Sequence, residues 1–332
     1  MEKKDLRIVF MGTPEFAVDT LKALVENDYN VVAVVTQPDK PVGRHQTEMQ
    51  PSEVKKYALE HNLPVLQPVK MKDPEFVEQL RSYQANLQVV VAFRMLPEVV
   101  WDMPEYGTFN VHAALLPQYR GAAPINWAVI NGETQTGVTT FFLDHDIDTG
   151  RVIMQKPFDI PDDADVEYVY DGLMHLGAEI CMETLERIVA SDGHPESIPQ
   201  DELITAGQEL HAAPKIFKET CEINFDQPAK KVYDFIRGLS PYPGAWTTLI
   251  SPDGKETVLK IFKTKRTSQK AGALGTTAIV ERKPCISTAD ELLMIEELQL
   301  AGKKRMNGRD FLNGIKNFEN YIIKEGITAL LL

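Results

Sequence analysis

In the segment FNVHAALLPQYRGAAPINWAVINGE (residues 109–133), Asn110 and His112 stand two residues apart. Side chains alternate along a strand, so these two point to one face while Phe109 and Val111 point to the other. An amide donor beside an imidazole suits a reaction that builds negative charge on a carbonyl oxygen. Asn110 would stabilise the oxyanion, and His112 would donate to it or move a proton. The Leu-Leu-Pro turn and the Gly-Ala-Ala-Pro stretch behind them make a tight loop entering a helix, which leaves room above the pair. A purely structural His–Asn pair has the same spacing, so spacing alone does not choose between the two.

A second cluster is LDHDIDTG (143–150). Its D-x-D-x-D pattern is like the opening of a calcium loop, but Thr149 stands where such a loop needs glycine. The loop's last position is Gln155 rather than a bidentate glutamate, so calcium is excluded. A carboxylate here, best Asp148, could instead orient His112 and stabilise its cationic form, as the third member of a triad does. Acidic residues are also common in turns for no catalytic reason. There is no G-x-S-x-G and no cysteine in a nucleophile's setting, which speaks against covalent catalysis. H-E-x-x-H and related spacings are missing too, so no metal is expected.

The surrounding pattern explains what would position these groups. LRIVFMG (6–12), VVAVVTQ (31–37), Leu63–Leu66 and LQVVVAF (87–93) read as buried strands. Between them lie helical patterns, among them one carrying Phe16, Val18, Leu21, Leu24 and Val25 and one over 73–83. Strands alternating with helices in this way predict a parallel sheet covered on both faces. The first strand ends in MGTPEF rather than G-x-G-x-x-G, so a dinucleotide site is disfavoured. TGVTTFFLD (136–144) and RVIMQKPFDI (151–160) predict a hairpin-like pair, and a helix over 166–189 closes the first domain, residues 1–190. Residues 191–215, polar and rich in Pro and Gly, read as a linker. The remainder, 216–332, opens with a helix at about 227–238. Short alternating runs follow, which suggest a small β-barrel or open sheet, and then a final helix in GRDFLNGIKN.

Length and charge fit this division. At ~150 residues per domain, 332 residues make about two. The net charge is −13, but it is unevenly spread. Residues 1–210 carry 16 Lys and Arg against 34 Asp and Glu, whereas residues 211–332 carry 19 against 14. Such a split fits an acidic catalytic half and a second half that meets a polyanion. Basic residues recur at Lys215 and Lys218, at Lys260, Lys263, Lys265 and Arg266, and at Lys303, Lys304 and Arg305. Scattered clusters of this kind fit phosphate contacts rather than base reading. The long loop QPDKPVGRHQTEMQP (37–51) has Lys40, Arg44 and His45 at its tip, and loops of that length are usually functional or disordered. Three well-separated cysteines, Cys181, Cys221 and Cys285, fit a reducing compartment. No apolar run approaches the ~18 residues of a membrane helix, and a soluble cytoplasmic protein is expected.

The segments FMGTPEFA, TQPDKPVGR, NVHAALLPQYRGAAPINWAVINGE, TGVTTFFLDHDIDTG, SPYPGAW and LQLAGKKRM resemble the methionyl-tRNA formyltransferase family, in order and over nearly the whole chain. The Asn-x-His, Leu-Leu-Pro and Asp-x-x-Asp-Thr-Gly core is shared by folate-dependent formyltransferases in general. The resemblance implies a Rossmann-like formyltransferase domain followed by a small OB-like β-barrel. It implies 10-formyltetrahydrofolate as donor and the methionine amine of initiator methionyl-tRNA as acceptor, with no metal required; a monomer is expected. Its catalytic Asn, His and Asp fall on Asn110, His112 and Asp148. Folate would lie by Ala114, Leu115, Leu116 and Pro117, by the loop Phe93, Arg94, Met95 and Leu96, and by the Asp148 turn. The loop carrying Arg44 is similar to the one that enters the acceptor stem. Lys215, Lys263, Lys265, Lys303, Lys304 and Arg305 would grip the stem. Ala114 stands where the family usually has Ser. The nearest alternative is a sibling that formylates a nucleotide-linked amino sugar. A non-catalytic RNA-binding relative would have lost Asn110, His112 or Asp148.

Overall fold

Continuous apolar runs become strands covered on both faces, as in Leu87–Val91, where all five residues are buried. The structure, a computed structural model, describes residues 1–43 and 45–324. Its first sheet has seven strands: β1 (Arg7–Gly12), β2 (Asn30–Val35), β3 (Val65–Leu66), β4 (Leu87–Val91), β5 (Thr108–His112), β6 (Gln135–Phe142) and β7 (Val152–Asp159). They lie in the order β7-β6-β5-β4-β1-β2-β3. The first five are parallel, as their alternation with helices predicts. The last two run antiparallel, as a hairpin added to the edge.

The chain winds outward from β1 through β2 to β3, then crosses back to place β4 on the other side of β1. The switch point therefore lies between β1 and β4, and open α/β sheets bind ligands beyond the strand ends at such a point. Gly12 closes β1 there. A Cβ on it would stand 2.7 Å from Ala17 Cβ and 2.9 Å from the Val91 carbonyl oxygen, so the glycine serves close packing.

Local signals start the covering helices. Ser52 Oγ accepts from Lys55 N at 3.0 Å at the start of α2 (Glu53–Glu60), and Asp73 caps α3 (Pro74–Ser82) with Pro74 in its first turn. The preceding helix, α1 (Glu15–Glu26), buries Phe16, Ala17, Leu21 and Leu24. On one side of the sheet Phe76, Val77 and Leu80 of α3 pack with Val9, Met11, Val35 and Val90. Each such side chain contributes about 1.5–3 kcal/mol of burial free energy.

The chain divides into two compact units. One comprises Met1–Pro124, Gln135–Asp159 and Tyr170–Ala212, and the other Ile125–Thr134, Ile160–Val169 and the chain from Ala213. Hydrogen bonds within the second unit explain its two early segments. Asn126 Nδ2 donates to the Gly238 carbonyl at 3.0 Å, and Trp127 Nε1 to that of Pro214 at 2.8 Å. Arg237 Nη1 donates to the Ala164 carbonyl at 2.9 Å, while its Nε pairs with Asp234 at 2.8 Å.

The second unit is built on antiparallel strands β8 (Ala245–Ile250), β9 (Glu256–Lys270), β10 (Thr277–Val280), β11 (Lys283–Ser287) and β12 (Glu291–Leu300). Two short strands, β13 (Met306–Asn307) and β14 (Ile322–Ile323), complete it. The order is β10-β11-β12-β9-β8-β14, with β13 beside β12. The sheet closes on itself: Thr276 bridges Ile322, and Ile323 N donates to the Gly275 carbonyl at 2.8 Å. Leu249, Leu259, Ile261, Ile286 and Leu298 fill the interior with Val232 and Ile236 of the helix Ala229–Gly238.

All three cysteines are buried and free. Burial pushes their thiols up, that of Cys285 to about 11, so little thiolate exists at neutral pH. Among the described residues no helix is long and apolar enough to cross a membrane.

Candidate active site

Strands β4 and β5 are parallel neighbours, with Val90 opposite Asn110 and Val91 opposite Val111. The segments that follow them, Phe93–Leu96 and Ala114–Pro117, therefore emerge at the same end of the sheet. Asn110 and His112 share a face of β5 as their alternation requires. Two residues of strand separate them by ~7 Å along the chain. Phe109 and Val111, of the opposite parity, are buried in the sheet's packing.

His112 is 6% exposed and its imidazole has two polar neighbours. Nε2 lies 2.9 Å from the Tyr119 carbonyl oxygen, which can only accept, so Nε2 carries a proton. Nδ1 is the nitrogen left over, and Asp148 Oδ2 stands 3.9 Å from it. The Asp148 carboxylate is itself held, with Gly121 N donating to Oδ2 at 3.0 Å. Asn110 makes no side-chain hydrogen bond among the described residues, and its Oδ1 is buried without a partner. An amide left in that state is unusual, because buried polar groups are nearly always satisfied.

The turn beyond His112 is fastened from β6 and β7. Thr139, which lies opposite His112, donates through Oγ1 to the Ala114 carbonyl at 2.7 Å and accepts from Leu116 N at 3.1 Å. Gln155 Nε2 donates to the Leu116 carbonyl at 2.7 Å. Leu116–Pro117 is a cis peptide. Gly137 makes the fit possible, since a Cβ on it would fall 2.5 Å from Leu115 Cδ2 and 2.2 Å from the Lys156 carbonyl oxygen. Ala114, Leu116 and Pro117 are buried, whereas Leu115 is partly open. In the neighbouring loop Met95 is 69% exposed and Leu96 buried. Arg94 donates to the carbonyls of Val69 and Pro68, and burial draws its pKa down.

The Asp148 turn joins β6 to β7. Asp144 Oδ1 accepts from Asp146 N and from Thr149 Oγ1, so the acidic run is bonded to itself. Among the described residues no group of three His, Cys, Asp or Glu side chains could hold a metal. Thr139, Gln155 and Tyr119 were not singled out from sequence. The first two are neutral polar residues in strands, and Tyr119 acts through its backbone, so none carries a compositional signal.

In the second unit Lys215, Lys263, Lys265, Lys303, Lys304 and Arg305 are all exposed. Lys263 and Lys265 flank the buried Thr264 and share the outer face of β9. With Arg266, Arg305, Glu296 and Glu297 they line a groove of about 680 Å³. Arg305 is occupied: Nε donates to Glu297 at 2.9 Å and the guanidinium lies 4.3 Å from the Phe262 ring centre. Lys215 lies 5.5 Å from the ring of Phe217. Arg44 lies outside the described residues. The loop around it forms a short hairpin, Lys40–Val42 against Glu48–Gln50, at whose base Asp39 is fixed by Lys55 and Gln67.

A family profile described as formyl transferase matches residues 6–185, and one described as formyl transferase, C-terminal domain, matches residues 215–316. Methionyl-tRNA formyltransferase from Parabacteroides distasonis is 58% identical over 326 residues, 97% of this chain and 100% of its own. The same enzyme from Bacteroides fragilis is 55% identical, covering 98% of this chain and 99% of its own. Among solved structures, an N-formyltransferase from Helicobacter canadensis, in complex with folinic acid and dTDP-3-aminofucose, aligns with a TM-score of 0.63 at 20% identity. That alignment covers 91% of this chain and 100% of the other. HypX from Aquifex aeolicus, in complex with tetrahydrofolic acid, aligns at 0.59 and 19%, covering 92% and 47%. These two similarities show the fold. The full-length matches above 50% identity show more, and the chain belongs to the methionyl-tRNA formyltransferase family.

Proposed function

We propose that this chain transfers the formyl group of 10-formyltetrahydrofolate to the α-amino group of methionine on initiator methionyl-tRNA, with Asn110, His112 and Asp148 at the reacting centre. The observation that carries the reading is one constellation at a ligand-binding strand end. An amide without partners stands on the same strand as an imidazole whose free nitrogen faces a fixed carboxylate. That set suits acyl transfer through a tetrahedral oxyanion.

The methionine amine attacks the formyl carbon, forming the new C–N bond while the carbonyl oxygen takes the electron pair. The Asn110 amide and a proton on His112 Nδ1 donate to that oxygen as its charge grows. Asp148 offsets the imidazolium charge. As the oxyanion collapses, the bond from the formyl carbon to the folate nitrogen breaks. The proton lost by the amine passes to that departing nitrogen. Folate would lie along Ala114–Pro117 and Phe93–Leu96, which share the sheet end with Asn110. There the buried Asn110 Oδ1 has an acceptor to offer, and at Ala114 it is the backbone carbonyl that is engaged, so the turn does not need a hydroxyl there.

The closed antiparallel sheet, with the adjoining Lys215, is assigned the tRNA. Identity of 58% to a methionyl-tRNA enzyme favours this acceptor over a sugar nucleotide, since the sugar enzymes share only the fold. The test is formyl transfer with Met-charged initiator tRNA, the same tRNA uncharged, and an aminosugar nucleotide in parallel. Formyl is expected on the charged tRNA alone, and formyl on the sugar alone would overturn the acceptor. Lys303→Ala with Lys304→Ala should weaken tRNA binding and make its salt dependence shallower. The slope should change by about 0.7–0.9 for each phosphate that the variant no longer neutralises. An unchanged slope, measured by titration across salt concentrations, would remove that turn from the interface.

A further inference from the structure

Residues 197–212 are polar and irregular, yet they grip both neighbours of the His112 imidazole. On the Asp148 side, Arg151 Nε donates to Ser197 Oγ at 2.8 Å, and Val152 and Ile198 exchange two backbone hydrogen bonds of 2.8 Å. On the Tyr119 side, Gln118 Nε2 donates to the Glu209 carbonyl and His211 N returns a bond to Gln118 Oε1 at 2.9 Å. Tyr119 N donates to the His211 carbonyl at 2.7 Å.

At the centre of this strap sits Gln200, 3% exposed. Its Nε2 donates to the Asp148 carbonyl and to the Gly150 carbonyl, both at 2.8 Å. Its Oε1 accepts from Arg120 Nε at 3.0 Å and Arg120 Nη2 at 2.7 Å. Both donors and both acceptor positions of the amide are filled, which fixes its orientation: turned over, its oxygen would face two carbonyls. Asp148 has φ of +56°, a left-handed conformation that costs a residue with a side chain some backbone energy, though Asp tolerates it better than most. Gln200 binds the turn on both sides of Thr149 and so holds it in place.

We propose that Gln200 is a positioning residue for the transfer, holding the Asp148 turn so that its carboxylate faces His112 Nδ1. The inference rests on the reading of Asp148 given above. Gln200→Leu removes all four bonds at similar volume, and Gln200→Glu keeps the acceptor for Arg120 while setting a carboxylate against the two carbonyls. Either should lower kcat by about 10- to 100-fold, the usual effect of a small misplacement of a catalytic group. KM for folate and for charged tRNA should stay within about twofold. The deciding measurement is a double-mutant cycle with Asp148→Asn. If Gln200 acts through the Asp148 carboxylate, Gln200→Leu costs little once that carboxylate is gone. A normal kcat in Gln200→Leu overturns the inference, and so does an equal loss in the Asp148→Asn background. If Asp148→Asn alone keeps full kcat, it is the underlying reading of Asp148 that fails. Should Gln200→Leu not fold, Gln200→Glu carries the same cycle.

Discussion

Replacing His112 with alanine is expected to reduce kcat by about 10²–10⁴, the range for loss of an acid–base group, while tRNA affinity is unchanged. Nε2 is committed to the Tyr119 carbonyl, so the imidazole cannot swing away, and Nδ1 is the one position from which it can donate or accept. Alanine removes that donor and leaves Asp148 without its imidazole neighbour, in a pocket where His112 itself is almost wholly covered. Steady-state kinetics with charged tRNA, beside filter binding of the same tRNA, separates the effects. Turnover within a fewfold of wild type would remove His112 from the chemistry.

Gly150→Ala should produce the largest loss of stability of any single methyl group added near the site. A Cβ at this position would lie 1.6 Å from the Phe142 carbonyl oxygen, 2.8 Å from its carbonyl carbon and 3.3 Å from Phe141 Cδ2. The first two obstacles are backbone of β6, so no side chain can rotate aside. Phe142 N also donates to the Arg151 carbonyl at 3.0 Å, so opening this end of the hairpin breaks the ladder that delivers Asp148. The expected cost is about 3 kcal/mol or more, at the upper end for overpacking. It would be read as a lowered urea midpoint, with kcat depressed in the fraction that folds. An unchanged midpoint would show that the turn relaxes where the packing leaves no room.

Much of the framework was legible in the chain. VVAVVTQ (31–37) advertises burial by its β-branched content, and the Asn110–His112 alternation survives intact because strand geometry allows little else. Asp148 was legible by residue type, since a carboxylate is one of the few groups that can support an imidazole. Gln200 was not. It lies in a stretch whose Pro, Gly and polar residues read as a linker at 191–215, yet residues 191–212 belong to the first unit. Hydrogen bonds fasten this strap beside an apolar anchor, Leu203 on Leu116, Phe141 and Val152, and hydrogen-bonding partners leave no periodicity to read. The same limit hid the hairpin in loop 37–51, which depends on Asp39 meeting Lys55 and Gln67 from elsewhere in the fold. Arg305 is the converse case. Its charge suggested a free phosphate donor, whereas Glu297 and Phe262 already engage it.

In the proposed mechanism Asn110, His112 and Asp148 act as one catalytic unit on formyl transfer. Its most direct test is the rate of the chemical step in a single turnover, measured by rapid quench with enzyme in excess over charged tRNA. The rates to compare are those of the wild type, of the single variants Asn110→Ala, His112→Ala and Asp148→Asn, and of the variant combining all three. Residues that work as a unit are strongly non-additive, so the triple variant should be about as slow as His112→Ala alone, both at least about 100-fold below wild type. A triple variant slowed by the product of three independent losses, or one transferring formyl at the wild-type rate, would show that the three residues do not act together.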